Sequence, residues 1–302
     1  MQNLLNEILE DARPAAEEGR VATYIPELGN ADPRWLGCSI CTADGEIWSA
    51  GETTRRFSMQ SISKILLLVR ALELFGMEKV FRKVGMEPSG DAFDSLVELD
   101  LNSNYPFNPM INTGAIAVSS SLVPATSFEE MLDFARRLCR DGDITLNEKV
   151  CRSEMGHLSR NRAIGYLLES KGVMESDVEQ SLELYVKMCS LNVNAEDLAR
   201  LGGLLACGGA CPGSGEQLVE PWITRVVKTL MLTCGMYDGS GRFAVKVGIP
   251  SKSGVGGGIL SVVNRKMGIG VFGPALDRKG NSLAGQQILE KLSARLDLHI
   301  FS

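Results

Sequence analysis

Ser61 and Lys64 stand three residues apart in Phe57-Ser58-Met59-Gln60-Ser61-Ile62-Ser63-Lys64, after which the chain runs apolar through Ile65-Leu66-Leu67-Leu68-Val69. On a helix, positions i and i+3 lie about 60° apart around the axis and one turn apart along it, so this hydroxyl and amine can touch. Ser63 is about 100° from Lys64 and faces elsewhere, which makes Ser61 the better nucleophile. A serine hydroxyl attacks only once a base takes its proton. A lysine is that base only when neutral, and both a helix N-terminus and a partly dry site lower its pKa. Taken alone, the same letters also describe a solvated helix start with a capping serine.

Two distant stretches could complete such a site. Lys252-Ser253-Gly254 is followed by Val255-Gly256-Gly257-Gly258, and a Lys-[Ser/Thr]-Gly at a strand edge is the third element of the S-x-x-K hydrolases. Its glycines let a substrate lie against the backbone and present N–H groups to an oxyanion. A phosphate loop is a poorer reading, because the Gly run lacks the Gly-Lys-[Ser/Thr] ending and a following helix. Tyr237, in Cys234-Gly235-Met236-Tyr237-Asp238-Gly239-Ser240-Gly241, sits in a Gly-rich loop that can reach the same place, although a structural turn tyrosine fits the letters too.

The elements that must position these residues follow from periodicity. Residues 3–18 read as an amphipathic helix and Val21–Leu28 as an extended segment. Residues 35–42 and 46–50 flank Ala43-Asp44-Gly45 as a hairpin. Helical segments are predicted near 61–75, 77–85, 92–98, 113–122, 127–139, 145–155, 160–170, 175–190 and 195–207. Strands return at Phe243–Ile249 and in a second hairpin, 259–263 and 267–272, before a closing helix over 283–296. Two strand groups at opposite ends of the chain can join in one antiparallel sheet covered by the terminal helices. The predicted class is therefore α/β (α+β): a single domain over 1–302, with an α/β part from 1–58 and 240–302 and a helical part from 59–239. A cleft between them is the natural place for a site.

Composition narrows the functional classes. With 31 basic and 37 acidic residues, a net charge of −6 and no Lys/Arg cluster, no nucleic-acid partner is expected. No apolar run approaches the roughly 20 residues of a membrane helix, so no membrane partner is expected either. The acidic amphipathic N-terminus lacks the parts of a secretory signal, so a cytoplasmic location is expected. Of eight cysteines, Cys38 and Cys41 form C-x-x-C and Cys207 and Cys211 form C-x-x-x-C. Cys38 to Cys41 reads as strand, where residues three apart face opposite ways, so buried structural thiols are expected rather than a metal site or disulfides. Only His157 and His299 are present, which disfavours Ser-His-Asp or Cys-His hydrolysis and a His-rich metal centre. No metal or cofactor is expected.

Over nearly its whole length the sequence resembles the serine-dependent glutaminases, which share the β-lactamase and penicillin-binding-protein (transpeptidase) fold. The landmarks are Tyr24-Ile25-Pro26-Glu27-Leu28, Gln60-Ser61-Ile62-Ser63-Lys64 and Asn108-Pro109-Met110-Ile111-Asn112-Thr113-Gly114. Further on come Ser153-Glu154 with Asn161-Arg162, Tyr185, the Tyr237 loop and Lys252-Ser253-Gly254-Val255. The resemblance implies hydrolysis of L-glutamine to L-glutamate and ammonia in glutamine catabolism. It implies Ser61 as nucleophile, Lys64 as base and Tyr237 as proton relay, with the Ser61 and Val255 N–H groups holding the oxyanion. Implied substrate contacts are Tyr24, Gln60, Asn112, Glu154, Asn161, Tyr185 and Val255, with Lys252, Ser253 and Gly254 in support. A homodimer or homotetramer is implied as well. The residue chemistry agrees: zwitterionic glutamine needs a carboxylate for its ammonium, as Glu154 offers, and donors for its carboxylate, as Asn112 and Asn161 offer. The break at Gly156-His157-Leu158-Ser159 could aim Glu154 and Asn161 inward together.

The sequence departs from the wider S-x-x-K pattern at the middle element. It has no Ser-Asp-Asn triplet, and Ser190-Leu191-Asn192 is a loose Ser-x-Asn that competes with Tyr185 for the place. Two other readings share the scaffold: a penicillin-recognising or esterase-type serine hydrolase, and a non-catalytic ligand-binding protein. Lys64, Tyr237 and Lys252 all being present speaks against the second of these.

Overall fold

The structure is a computed structural model that describes residues 1–89 and 105–302. The helix predicted at 92–98 lies outside the described residues. The chain opens with α1 (Gln2–Ala12), which runs into a 3-10 segment, Arg13–Glu18. Then comes the hairpin β1 (Gly37–Thr42) and β2 (Ile47–Gly51), turned at Gly45, whose φ of 87° is open to glycine at little cost. From the far end of the chain come β6 (Ser251–Ser253), β7 (Gly258–Val263) and β8 (Met267–Phe272), and the closing helix Leu283–Leu296. All five strands form one antiparallel sheet in the order β2-β1-β8-β7-β6.

The sheet joins both chain ends because β1 and β8 pair along their full length, from Gly37 opposite Phe272 to Thr42 opposite Met267. The two faces of β8 differ in kind. Ile269 and Val271 enter a core with Leu5, Ile8 and Leu9 of α1 and Ile288 and Leu292 of the closing helix. The alternate residues are Gly268 and Gly270, and there α8 (Ala195–Ala206) lies against the strand. A Cβ on Gly268 would overlap the Gly203 nitrogen, and one on Gly270 the Ala195 carbonyl oxygen. Glycine is thus required for close approach of helix to sheet. The same alternation separates Cys38, in the terminal-helix core, from Cys41, which packs beside Gly203. All eight cysteines are free thiols.

The second and larger core is built from the middle of the chain around α2 (Ser63–Phe81). Ile65 through Val69 are buried without interruption, as an apolar helix with no polar face must be. At Gly76 the backbone leaves helical geometry (φ 74°, ψ 169°), which divides the element where two helices were expected. Around it lie α3 (Asn112–Leu122), α4 (Phe128–Cys139), α5 (Glu148–Met155), α6 (Ser159–Ser170) and α7 (Val178–Cys189). A small sheet, β3 (Phe57–Ser58), β5 (Leu191–Val193) and β4 (Thr145–Leu146), ties the segment before Ser61 to this unit. Arg56 reinforces the tie by donating to Asp141 (2.6 Å), to buried Asp197 (2.9 Å) and to the Asn192 carbonyl (3.2 Å). α8 comes from the middle of the chain but covers the sheet, so it belongs to both parts of the molecule.

Three expectations fail locally. The strand predicted at Phe243–Ile249 is helical: α10 spans Ser240–Lys246 and Gly248 turns the chain with φ 63°. The alternating Phe243, Val245, Val247 and Ile249 suggested a period of two. In the fold Phe243 and Val247 are buried at i and i+4, while Val245 is 80% exposed. The helix α9 (Pro221–Cys234) was not anticipated, although Pro at its first position and Ile223, Val227, Leu230, Met231 and Cys234 on one face carry the signal. The segment expected to be extended over Val21–Leu28 is not so throughout, since a 3-10 turn already begins at Pro26.

Candidate active site

The nucleophile candidate sits in a 3-10 turn, Gln60–Ile62, immediately before α2. Gln60 adopts left-handed backbone (φ 49°), uncommon for a side-chain-bearing residue. Ser61 is 7% exposed and Lys64, one turn on, is 1% exposed. The Lys64 Nζ lies 2.7 Å from the Ser61 Oγ, 3.1 Å from the Asn112 Oδ1 and 3.1 Å from the Tyr185 hydroxyl. Tyr185 in turn donates to the Asn112 Oδ1 (3.2 Å), and the Asn112 Nδ2 donates to the Asn161 Oδ1 (3.3 Å). Four elements therefore converge on one amine: the 3-10 turn, α2, the start of α3 and the inner face of α7. Among the described residues no carboxylate oxygen lies within ion-pair distance of Lys64. Burial pushes its pKa down to about 8, against the opposing influence of Cys189 and Glu154. That is the condition under which an amine becomes a base near neutral pH.

Opposite this pair, the α5–α6 break at Gly156 directs Glu154 and Asn161 into one cleft of about 620 Å³. Tyr24, Gln60, Ser61, Asn112 and Tyr185 line the same cleft. Glu154 is buried, and the Gln60 Nε2 donates to it at 3.4 Å. Burial raises its pKa to about 7, opposed by the Gln60 hydrogen bond and by Lys64. Tyr24 is 56% exposed and stands at the rim.

Tyr237 and Val255 lie beside the cleft rather than in its lining, packed with Ile25, which does line it. Tyr237 also has left-handed backbone (φ 54°). Burial pushes its phenol pKa up, while the Ser61 side chain and the Val255 backbone favour the ionised form. Lys252 is fully buried; its ammonium donates to the carbonyls of Ser253 (2.7 Å) and Gly235 (3.3 Å) and lies 4.7 Å from the Tyr237 ring centroid. The Ser253 N–H donates to that same Gly235 carbonyl (3.1 Å), so β6 and the Tyr237 loop are stitched together. The glycines after Lys252 serve close approach: a Cβ on Gly254 would lie 2.8 Å from the Met59 carbonyl oxygen, and one on Gly256 would overlap that of Ser58. The Lys252-Ser253-Gly254 edge is thereby laid along the segment that carries Ser61.

Tyr185, and neither Ser190 nor Asn192, stands beside Lys64. The Asn192 side chain accepts from Asn147 (3.0 Å) within the small sheet instead. Sequence reasoning passed over His157, Ser159 and Arg160 at the cleft rim, and Cys189, whose Sγ lies 3.5 Å from the Ser63 Oγ. Position alone could have raised the last, since Cys189 follows Tyr185 by one helical turn. Among the described residues no group of three or more His, Cys, Asp or Glu side chains could hold a metal, and no helix is long and apolar enough to cross a membrane.

Comparison with known proteins finds similarity along the length of the chain. The Glutaminase family model matches residues 19–301. The chain is 49% identical to Glutaminase 2 of Clostridium perfringens over 306 residues and to a glutaminase of Clostridium tetani over 305, covering 100% of both partners in each case. Among solved structures, a Bacillus glutaminase in 4.3 M NaCl superposes with a TM-score of 0.90 at 38% identity, with 98% of each chain covered. A Bacillus subtilis protein described as a probable glutaminase, complexed with 6-diazo-5-oxo-L-norleucine, gives 0.89 at 37% identity, with 98% and 95% covered. With its Ser-Lys pair, its antiparallel sheet joined from both chain ends and this full-length similarity, the chain belongs to the serine-dependent glutaminase family, amidohydrolases of β-lactamase-like fold.

Proposed function

We propose that this glutaminase hydrolyses L-glutamine through a Ser61 acyl-enzyme. The observation that carries the reading is the buried Lys64 amine, 2.7 Å from the Ser61 Oγ and, among the described residues, without a carboxylate in ion-pair range. Neutral Lys64 takes the Ser61 proton as Oγ attacks the side-chain amide carbon. The developing oxyanion is held by the backbone N–H groups of Ser61 and Val255. Tyr237 delivers a proton to the departing ammonia, then helps activate the water that releases glutamate. Glu154 receives the substrate ammonium, and the Asn112 and Asn161 amides, with Tyr185, receive its carboxylate. Tyr24 and Gln60 border the bound molecule, and Lys252, Ser253 and Gly254 hold the oxyanion strand and the tyrosine loop in register.

In the cell, such an enzyme supplies glutamate and ammonia from glutamine. We place it in the cytoplasm as a homodimer or homotetramer; light scattering of the purified protein would show a single monomeric mass if the assembly is wrong. The mechanism is tested by following ammonia release from glutamine by wild type and by Ser61→Ala. Loss of turnover with an unchanged circular dichroism spectrum is expected. Near-normal activity in Ser61→Ala would remove it as nucleophile.

A further inference from the structure

Sharing no lining residue with the glutamine cleft, a second cavity of about 620 Å³ opens between α9, the C-terminal end of α8 and the turn of the β7–β8 hairpin. Thr224, Arg225, Lys228, Thr229 and Leu232 line it at a spacing of one, three, one and three residues, which is a single stripe of α9. The opposite stripe of the same helix, including Ile223, Val227 and Leu230, is in the core. The stripe facing the cavity is thus cationic and hydroxylated where a packing face would be apolar.

A third cation completes the cluster. Arg265 sits at the hairpin turn in left-handed backbone (φ 61°), and its N–H donates to the Ala206 carbonyl at the end of α8 (3.0 Å). That bond seats the turn on the rim of the cavity. Among the described residues no Asp or Glu lines the cavity, and none of Arg225, Lys228 and Arg265 forms an ion pair. The half-buried Lys228 ammonium donates to the neutral amide oxygen of Asn264 (2.7 Å). Burial, and next the charge of Arg265, push its pKa down. On a chain of net charge −6, three uncompensated cations around one concavity run against the global balance. Leu232, Pro250 and Ile300 supply an apolar wall.

We propose that this cavity binds a small multivalent anion with an apolar body, of the organic-phosphate class. The doubly charged head would lie among Arg225, Lys228 and Arg265, where it removes the mutual repulsion of Lys228 and Arg265 and accepts charge-assisted hydrogen bonds. The hydroxyls of Thr224 and Thr229 are spent on the Pro221 and Arg225 carbonyls (2.9 Å each), so the three cations supply the donors. The volume exceeds what inorganic phosphate fills and falls in the range of small-molecule sites, which leaves room for a body against the apolar wall.

The test uses phenyl phosphate and inorganic phosphate as probes. Each is titrated calorimetrically into the full chain at low salt, with saturating L-glutamate present to occupy the catalytic cleft. Saturable one-to-one binding of phenyl phosphate is expected, several-fold tighter than inorganic phosphate. Lys228→Met and Arg265→Ala should each weaken it by about tenfold or more while glutamine turnover, read on the same samples, stays at the wild-type level. Lys228→Gln serves as a second replacement should the first fold poorly. Absence of saturable binding into the millimolar range, or binding that both substitutions leave unchanged, overturns the site. Equal affinity for the two probes overturns the apolar body.

Discussion

Replacing Lys64 with Met should abolish turnover and at the same time stabilise the fold near neutral pH. Lys64 is almost fully buried, and its pKa falls from 10.5 to about 8, chiefly through burial. At pH 7 about one Lys64 in ten is neutral, against roughly three in ten thousand for an ordinary lysine, a gain on the order of 300-fold in available base. The same displacement corresponds to about 3 kcal/mol of stability given up whenever the amine is charged. Because the folded chain releases this proton earlier, the unfolded state holds the extra proton between about pH 8 and about 10.5, and stability rises with pH across that window. Below about pH 8 both states are protonated and the whole penalty stands. Met matches the length of the lysine stem but loses its hydrogen bonds, which returns about 1–2 kcal/mol of the gain. Lys64→Met should therefore be more stable than wild type by about 1–2 kcal/mol at pH 7, raising Tm by about 2–3 °C, with the advantage gone by about pH 10. Denaturant titration at the two pH values reads the difference, and ammonia release reads a loss of about a thousandfold or more. In the wild type, kcat/KM should climb with pH to a midpoint near pH 8. A variant equally destabilised at both pH values, together with a wild-type midpoint at or above pH 10, would refute the account of Lys64 as a desolvated base.

Tyr237→Phe removes the phenol while keeping the ring over Lys252, so kcat should fall by about 10²–10⁴ with little change in thermal midpoint; an unchanged rate moves the proton relay elsewhere. Glu154→Gln keeps the shape of the cleft but loses the ammonium acceptor, so KM for glutamine should rise by about 30-fold or more with kcat less affected, and a KM within twofold of wild type would exclude that role. Gly270→Ala drives a Cβ into the Ala195 carbonyl, so about 3 kcal/mol of stability should be lost, read as a lowered urea midpoint; wild-type stability would show that α8 can shift from the sheet freely.

The glycine contact explains why some of the architecture was legible from residues alone. Met267–Phe272 alternates glycine with apolar residues, a period of two that only a strand satisfies, and the closing helix 283–296 stands in the fold with those bounds. The terminal pairing was open to inference because consecutive hairpins leave edges that must be satisfied. Phe243–Ile249 failed because a short apolar alternation also contains an i, i+4 pair, and burial against the terminal-helix core selected the helical pair.

The amino-acid sequence by itself determined the chemistry on offer. A serine and a lysine one turn apart, ahead of a helix with no polar face, must place those groups at the boundary of a core. Local spacing suffices for that, because i and i+3 neighbours are set by helical geometry. It could not choose the groups that gather around that serine and lysine. Asn112, Tyr185, Glu154 and Tyr237 lie 48, 121, 90 and 173 positions further along the chain, and each is also an ordinary cap, core or turn residue by its local context. Tertiary packing made the selection: the small sheet and Arg56 fix the turn at Gln60, the break at Gly156 turns Glu154 inward, and α7 sets Tyr185 rather than Ser190 against the amine. The lowered pKa of Lys64 belongs to the fold for the same reason. Desolvation is a property of everything packed around a group, and no stretch of neighbouring residues can supply it.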